Sequence, residues 1–377
     1  MQKDMHGKWQ HLLAAGLLTA CATSAFAQEE RFSFHGFGNQ DFWKSSTNSV
    51  DGSGDKGTWD NNFLAIDASA TINDKSKAWA QLETSTGGGT FFTWFFVDYN
   101  ISDVLRAHVG AVKFPYGIYN EYVDVRALQM SIVLPVVYSQ DADMVHDAYE
   151  GVGLDYDWHL GNSGKVVLQG FLGNNYDPSG ALSPAVAFPA GAAQADLTAV
   201  TNDLRVYGGR ITWETPVSGL RLLYSTNVVL LETTSDNGQI PEQTGNESRN
   251  MLSVDYVTEK LDLKAEYARH HVPGLSGFAD LNTRAWYAQA GYLALDPWTP
   301  YIQYDNIVTD ESRSSDPSYY ERDLVVGVNY KIRENINFRV EEHFNRGYAL
   351  AVSSGDVQAG TGSTTWNLFC ASINFMF

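Results

Sequence analysis

Charge is what this 377-residue sequence has little of: 18% of its residues are Asp, Glu, Lys or Arg, against about a quarter in ordinary soluble proteins. Positive charge is scarcer still. Lys and Arg number 25 against 44 Asp and Glu, a formal charge of −19 with no basic patch, which argues against a nucleic-acid partner. Cysteine is limited to Cys21 and Cys370. That leaves no disulfide framework, no Cys/His spacing of a zinc site and no Cys-x-x-Cys-His haem motif. Beyond the N-terminus no apolar run approaches the roughly 18 residues of a spanning helix. Aromatic residues, at 13%, are abundant instead.

Residues 1–27 read as an export leader. Lys3 and Lys8 supply the positive start, Leu12–Ala20 the apolar core, and Ala25-Phe26-Ala27 the small-residue cleavage site before Gln28. Leu18-Thr19-Ala20-Cys21 also resembles a lipoprotein box, but a barrel needs no lipid anchor, so cleavage after Ala27 is the expectation. Loss of Lys3, Lys8 and Asp4 would take the formal charge from −19 to −20. Residues 28–377 then form one domain, since no stretch resembles a linker and the strand pattern runs to the last residue.

From Arg31 onward the chain alternates apolar and polar residues in short segments, the signature of half-buried β-strands. The segments are 31–43, 58–72, 77–85, 91–101, 105–112, 151–159, 165–173, 204–214, 220–232, 249–258, 261–270, 283–295, 298–309, 322–332, 336–346 and 364–377. Short connections rich in turn residues, such as Asn73-Asp74-Lys75-Ser76 and Arg333-Glu334-Asn335, alternate with long polar or Gly-rich ones: 44–57, 113–150, 174–203, 233–248, 271–282, 310–321 and 347–363. Gly87-Gly88-Gly89 is short where a long one is due. Tight turns at one end and long loops at the other are the asymmetry of a transmembrane β-barrel, and about sixteen strands is an even count typical of that class. The expected fold is therefore all-β, a transmembrane antiparallel barrel.

The faces suit lipid outside and water inside. One face carries Phe95, Val97, Tyr99 and Ile101, or Val152, Leu154, Tyr156 and Trp158; the other carries Arg106 and His108, Asp155 and Asp157, Lys264 and Glu266, Asn329 and Lys331. Counting back from Phe377, every second residue is apolar: Phe375, Ile373, Ala371 and Phe369. A terminal Phe on such a strand resembles the assembly signal of Gram-negative outer-membrane proteins, with the barrel-assembly machinery as implied partner. Phe369, Ile373, Phe375 and Phe377 are the residues that would carry it.

The longest break in the alternation is Lys113–Gly151. It holds Pro115 and Pro135, the cations Lys113 and Arg126, and the carboxylates Glu121, Asp124, Asp141, Asp143, Asp147 and Glu150. Its apolar runs, Ile132-Val133-Leu134 and Val136-Val137-Tyr138, gain by burial, so it is expected to fold into the barrel and narrow the pore.

The segment Val109-Gly110-Ala111-Val112-Lys113-Phe114-Pro115-Tyr116-Gly117, followed by Glu121, resembles the G-x-x-K-x-P-[FY]-G signature of the phosphate-selective porin family and its general-porin relatives. Tyr149–Tyr156 is similar to the return strand of the same group. The resemblance implies a sixteen-stranded barrel, commonly trimeric, with the loop after the fifth strand folded inside, in the outer membrane of a Gram-negative bacterium. A phosphate channel needs a ladder of Arg and Lys to replace phosphate hydration, whereas this loop is acidic.

The expected function is a passive channel for small hydrophilic solutes or ions, with loop carboxylates facing the wall cations Arg106, His108, Arg210, Lys264 and Arg339 across the constriction and a modest preference for cations. A substrate-specific anion porin, a barrel enzyme and a scaffold around an electron carrier are the alternatives. An enzyme would need Ser, His and an orienting group on neighbouring strands; His146, His270, His271 and His343 lie in no nucleophile motif. Asp51–Gly57 resembles a calcium loop, but Asn62 stands where the bidentate Glu should fall. No catalytic residue, cofactor or metal is expected; lipid, permeating solutes and copies of the same chain are.

Overall fold

The computed structural model describes residues 31–50, 53–85, 88–140, 142–145, 147–176, 205–233, 243–274, 279–351 and 362–377. The period-two segments become sixteen strands: β1 Phe32–Ser45, β2 Asn62–Asn73, β3 Ser76–Ser85, β4 Gly89–Ser102, β5 Leu105–Lys113, β6 Ala148–His159, β7 Lys165–Tyr176, β8 Arg205–Glu214, β9 Leu220–Thr233, β10 Gln243–Val257, β11 Leu261–Val272, β12 Leu281–Tyr292, β13 Trp298–Val308, β14 Tyr320–Arg333, β15 Ile336–Gly347 and β16 Thr365–Met376. Each pairs antiparallel with its neighbours in the chain, and β1 pairs with β16, so the sheet is a closed barrel. Closure leaves no strand with unpaired peptide groups, as a wall in lipid requires.

Alternation sets the two faces. Val97, Tyr99, Ile101, Val152, Leu154, Tyr156, Trp158, Leu324, Val326 and Ile332 are exposed on the outer face. Asp155, Glu266, Gln289, Asp305 and Glu341 point inward and are buried. The tight turns use backbone geometry that side chains resist. At Gly219 φ is +79°, and a Cβ there would lie 1.8 Å from the Val257 carbonyl oxygen.

Two boundaries differ from the sequence pattern by four residues or more. β10 begins at Gln243 rather than Arg249 because Thr244–Ser248 is polar on both faces; its partner β9 carries the apolar side chains, and Glu247 is buried by charge pairing, which leaves no hydrophobic alternation to detect. β2 begins at Asn62 rather than Thr58, which forms only an isolated bridge to Trp43.

The seam joins the two ends of the chain. Phe37 pairs with Met376 and Ser45 with Leu368, and Gly36 and Phe377 exchange backbone hydrogen bonds of 2.8 Å in both directions. The ring of Phe377 covers Gly36 so closely that a Cβ on Gly36 would meet it at 2.1 Å. Phe375 stacks beside Phe377. Gly36→Val is therefore expected to displace the terminal ring and lower the temperature at which the folded barrel loses its compact gel mobility; an unchanged transition would show that the seam does not depend on this contact.

Candidate functional site

Between β5 and β6 the chain turns into the barrel, and residues 114–140 are held against the wall from within. Phe114, Tyr116, Ile118, Tyr119, Val136, Val137 and Tyr138 form one apolar cluster with Phe171, Leu223, Met251, Ala285 and Ile307 of the wall. Burial of these rings explains why the segment enters the barrel. A loop inside a barrel also buries peptide groups that no neighbouring strand can satisfy, and each buried group left unpaired costs about 1–3 kcal/mol. Wall side chains satisfy them.

On β15, Arg339 is fully buried. Its Nη1 donates to the carbonyls of Gln129 and Ser131 at 2.9 Å each, and its Nη2 donates to the Arg126 carbonyl at 2.9 Å and to Asn374 at 2.8 Å. Two residues on, the Glu341 carboxylate accepts from the Ile132 and Val133 amides at 2.8 and 2.9 Å, from the Tyr301 hydroxyl at 2.6 Å and from His343 Nε2 at 2.9 Å. Asp305 on β13 accepts from the Val136 amide at 3.0 Å. Glu266 on β11 accepts from the Ile118 amide at 2.9 Å and from the hydroxyls of Tyr138 at 2.5 Å and Tyr287 at 2.9 Å, while the Tyr138 hydroxyl itself accepts from the amides of Ile118 and Tyr119. Gly117, with φ +60°, sits where a Cβ would meet the Tyr138 hydroxyl at 2.2 Å.

The structure places the expected site residues differently from one another. Glu121 does meet a wall cation: Arg210 on β8 pairs with it and also donates to the Gly117 carbonyl at 2.9 Å. Lys113 ends β5 and pairs with Asp124 at 2.7 Å, so this contact lies at the loop's root. Arg106, His108 and Lys264 do not face the loop carboxylates. Arg106 and His108 bind Asp155 at 2.6 and 2.9 Å, His108 also binds Asp98 at 2.5 Å, and Lys264 pairs with Asp262. Arg339 bonds to loop carbonyls rather than carboxylates and reaches no water. Glu150 belongs to β6, exposed on the same outward face as Val152, which removes it from the constriction. Asp147 accepts from Gln140 at 3.0 Å. Asp141 and His146 lie outside the described residues. Phe369, Ile373, Phe375 and Phe377 are exposed on the outer face at the seam.

The acidic anchors Glu266, Asp305 and Glu341 were not among the expected site residues, and one basic anchor was missed as well. Arg249 on β10 is fully buried; its Nε donates to the Asp143 carbonyl at 2.8 Å and its Nη2 meets the Asp143 carboxylate at 2.8 Å, with Glu247 bonded to the same guanidinium and to His270. The signal lay in Glu247-Ser248-Arg249, opposite charges two apart and so on one face of a strand. Asp143 itself takes φ +51°.

Loop and wall enclose a cavity of about 690 Å³ that reaches the long-connection end, where Asp60, Asn61 and Leu350 line it. Among the described residues eight carboxylates line it: Asp41, Asp60, Glu83, Asp124, Asp147, Asp305, Glu321 and Asp323. Arg126 and His343 are its only basic side chains among the same residues. Asp305 and Asp323 stand directly opposite one another on β13 and β14, a like-charge pairing that costs stability unless partners compensate. Gln303 at 2.6 Å and His343 at 2.5 Å provide that compensation. Most of this acidic lining comes from wall strands, not from the loop.

Two predictions follow from these anchors. Arg339→Met leaves three loop carbonyls without their donor, at about 1–3 kcal/mol for each buried group left unpaired, and is expected to cost about 3–5 kcal/mol in denaturant unfolding from lipid vesicles; a loss under 1 kcal/mol would contradict the anchoring role. Burial pushes the Asp143 carboxyl up to about 6, with the Arg249 guanidinium pulling the other way. A carboxyl that holds its proton more tightly when folded contributes stability that is lost as pH rises from its ordinary 3.8 toward about 6. Thermal midpoints of the native chain should therefore decline across that window relative to Asp143→Asn; parallel profiles would refute the assignment.

No family model and no curated protein matches the chain. Solved structures do match its fold. OmpF of Salmonella typhi, in complex with daunomycin, superposes with TM-score 0.56 at 13% identity, covering 92% of this chain and 97% of its own. The outer membrane channel DcaP of Acinetobacter baumannii gives TM-score 0.55 at 13% identity, with 92% and 97% covered. The trimer form of Vibrio cholerae OmpT gives 0.55 at 11%, with 92% and 99% covered. At such identities the likeness is one of fold, and it is the fold that the resemblance to porins implied. The chain is a closed sixteen-strand antiparallel barrel of the porin type, with the loop after its fifth strand folded inside.

Proposed function

We propose that this chain is a porin of the Gram-negative outer membrane, a passive, water-filled path for small hydrophilic solutes that favours cations. The observation that carries the reading is the cavity beside the inserted loop, whose eight carboxylates outnumber one guanidinium and one imidazole. A narrow, low-dielectric passage strengthens the effect of fixed charge on a permeating ion, and rings of Asp and Glu favour cations. The same lining lacks the ladder of Arg and Lys that dehydrated phosphate needs, which weighs against the phosphate-selective relatives. Nearer the short turns the inward charges are balanced in pairs, such as Arg106 with Asp155 and Lys165 with Asp157, so they add little net field.

The site reads as non-enzymatic and without a cofactor. His270 and His343 are buried, bonded to Glu247 and to Asp323 and Glu341, in positions that support the loop. Export by the 1–27 leader, insertion by the barrel-assembly machinery through the Phe377 strand and assembly as a homotrimer complete the proposal; OmpT of Vibrio cholerae supports the last, having been solved as a trimer.

The zero-current potential across a planar bilayer in a salt gradient tests the reading. The native chain is expected to pass cations in preference to anions. Asp41→Asn with Asp147→Asn should lower that preference and Arg126→Gln raise it, by up to about fivefold for roughly 1 kcal/mol per unit charge close to the ion in a high-dielectric pore. Anion selectivity of the native chain would overturn the proposal.

A further inference from the structure

Among the described residues cations on the outer face of this barrel are few, and four of them share one level on the arc from β11 to β15. Arg269 on β11, Arg284 on β12, Arg322 on β14 and Arg346 on β15 all point outward and are exposed or partly exposed. Each stands two residues nearer the long-connection end than an outward ring or Leu of its own strand: Tyr267, Trp286, Leu324 and Phe344 respectively. On β13, between the two pairs, Asn306 holds the same place beyond Tyr304. On β1, Lys44 stands two beyond Phe42. On the opposite arc the level carries Thr84, Thr90, Glu150 and Asn174, with Arg205 as the single cation among the described residues.

The register makes the arrangement costly as it stands. Arg269 pairs directly with Arg284, and Arg322 directly with Arg346, and like charges directly opposite on adjacent strands repel. Glu311 relieves the first pair, at 2.7 Å from Arg269 and 3.8 Å from Arg284. The second pair has no carboxylate among the described residues. Arg322 lies 5.1 Å from the ring of its neighbour Tyr320. Glu342, the nearest outward acid on β15, is four residues toward the short turns with Phe344 between, and accepts from Asn367 at 3.3 Å.

Aromatic rings on a barrel's outer face mark the level where hydrocarbon gives way to headgroups, so a cation one step beyond them stands among headgroups. Guanidinium groups match phosphate in shape and bind it bidentately, and cross-strand partners are about 5 Å apart at Cβ, close enough for two of them to grip one phosphate. We propose that the Arg269–Arg346 arc is a binding surface for phosphorylated lipid headgroups of the leaflet at the long-connection end, with Arg322 and Arg346 clamping one phosphate between them. The proposal rests on the barrel spanning a membrane, but not on what its lumen passes.

The test is retention of diphosphoryl lipid A by the folded full-length barrel in detergent, compared with dephosphorylated lipid A and with inorganic phosphate as competitor. The native chain should retain the phosphorylated lipid preferentially. Arg322→Gln with Arg346→Gln should weaken retention roughly thirtyfold, from about 1 kcal/mol for each of two cations at an anionic surface. Arg322→Lys with Arg346→Lys should keep much of it, and Lys75→Gln, in a turn at the other end, should change nothing. Equal retention of the two lipids, equal retention by the Gln variant, or displacement by inorganic phosphate at equimolar concentration would overturn the inference. The native-chain comparison decides even where a variant does not fold. Loss of lipid preference with conductance intact would count against this surface alone, whereas absence of conductance would count against the channel.

Discussion

A peptide segment laid across the inside of a barrel must find hydrogen-bond partners where no strand offers them, and this constraint organises the molecule. Arg339 and Glu341 meet it together. They stand two apart on β15, on one inward face, and between them they bind three carbonyls and two amides of residues 126–133. A carbonyl needs a donor and an amide an acceptor, so a segment that presents both in sequence is matched by a cation and an anion in sequence. Glu266 and Arg210 do the same for residues 117–121 at the other end of the segment. The buried ions are thus offset by backbone groups that would otherwise be desolvated without partners, and the apolar cluster around Phe114, Tyr116 and Tyr138 supplies the burial that brings the segment inside.

The barrel was readable from residues because its code is local. In Val152, Leu154, Tyr156 and Trp158 against Gly153, Asp155 and Asp157, two environments alternate along one strand, and the periodicity names both. The inserted segment was readable as an interruption that is apolar. What could not be read was the pairing inside. Arg339 looked like a pore-wall cation because an inward Arg in a polar strand pattern carries no mark of whether water or a carbonyl will face it. Glu150 looked like a loop carboxylate because Ala148 and Tyr149, buried on different sides, hide where β6 begins. The acidic lining failed to register for a third reason. Asp41, Glu83, Asp305, Glu321 and Asp323 come from separate strands, and only the curvature of the closed sheet brings them around one cavity.

The charge inside is arranged in two tiers with different net balance. Toward the short turns, Arg106, His108, Lys165, Arg221 and Lys264 each meet an acid. Elsewhere in the lumen, Arg339 and Arg249 are spent on holding the loop, which leaves the carboxylates around the cavity in excess. On the proposed channel reading, the same guanidinium groups that fix the shape of the passage thereby fix its sign.

The pairing order has a consequence for how the chain becomes a barrel. Fifteen of the sixteen ladders join strands adjacent in sequence, and only β1 with β16 joins the two ends. Hairpins form between near neighbours at small entropic cost, while the last ladder must close a loop of nearly the whole chain. Every intermediate before that step is an open ribbon with two bare edges, each able to accept a strand from another molecule. The Gly36–Phe377 contact, placed at that one joint, is therefore the difference between a sheet that ends in itself and one that continues into its neighbours.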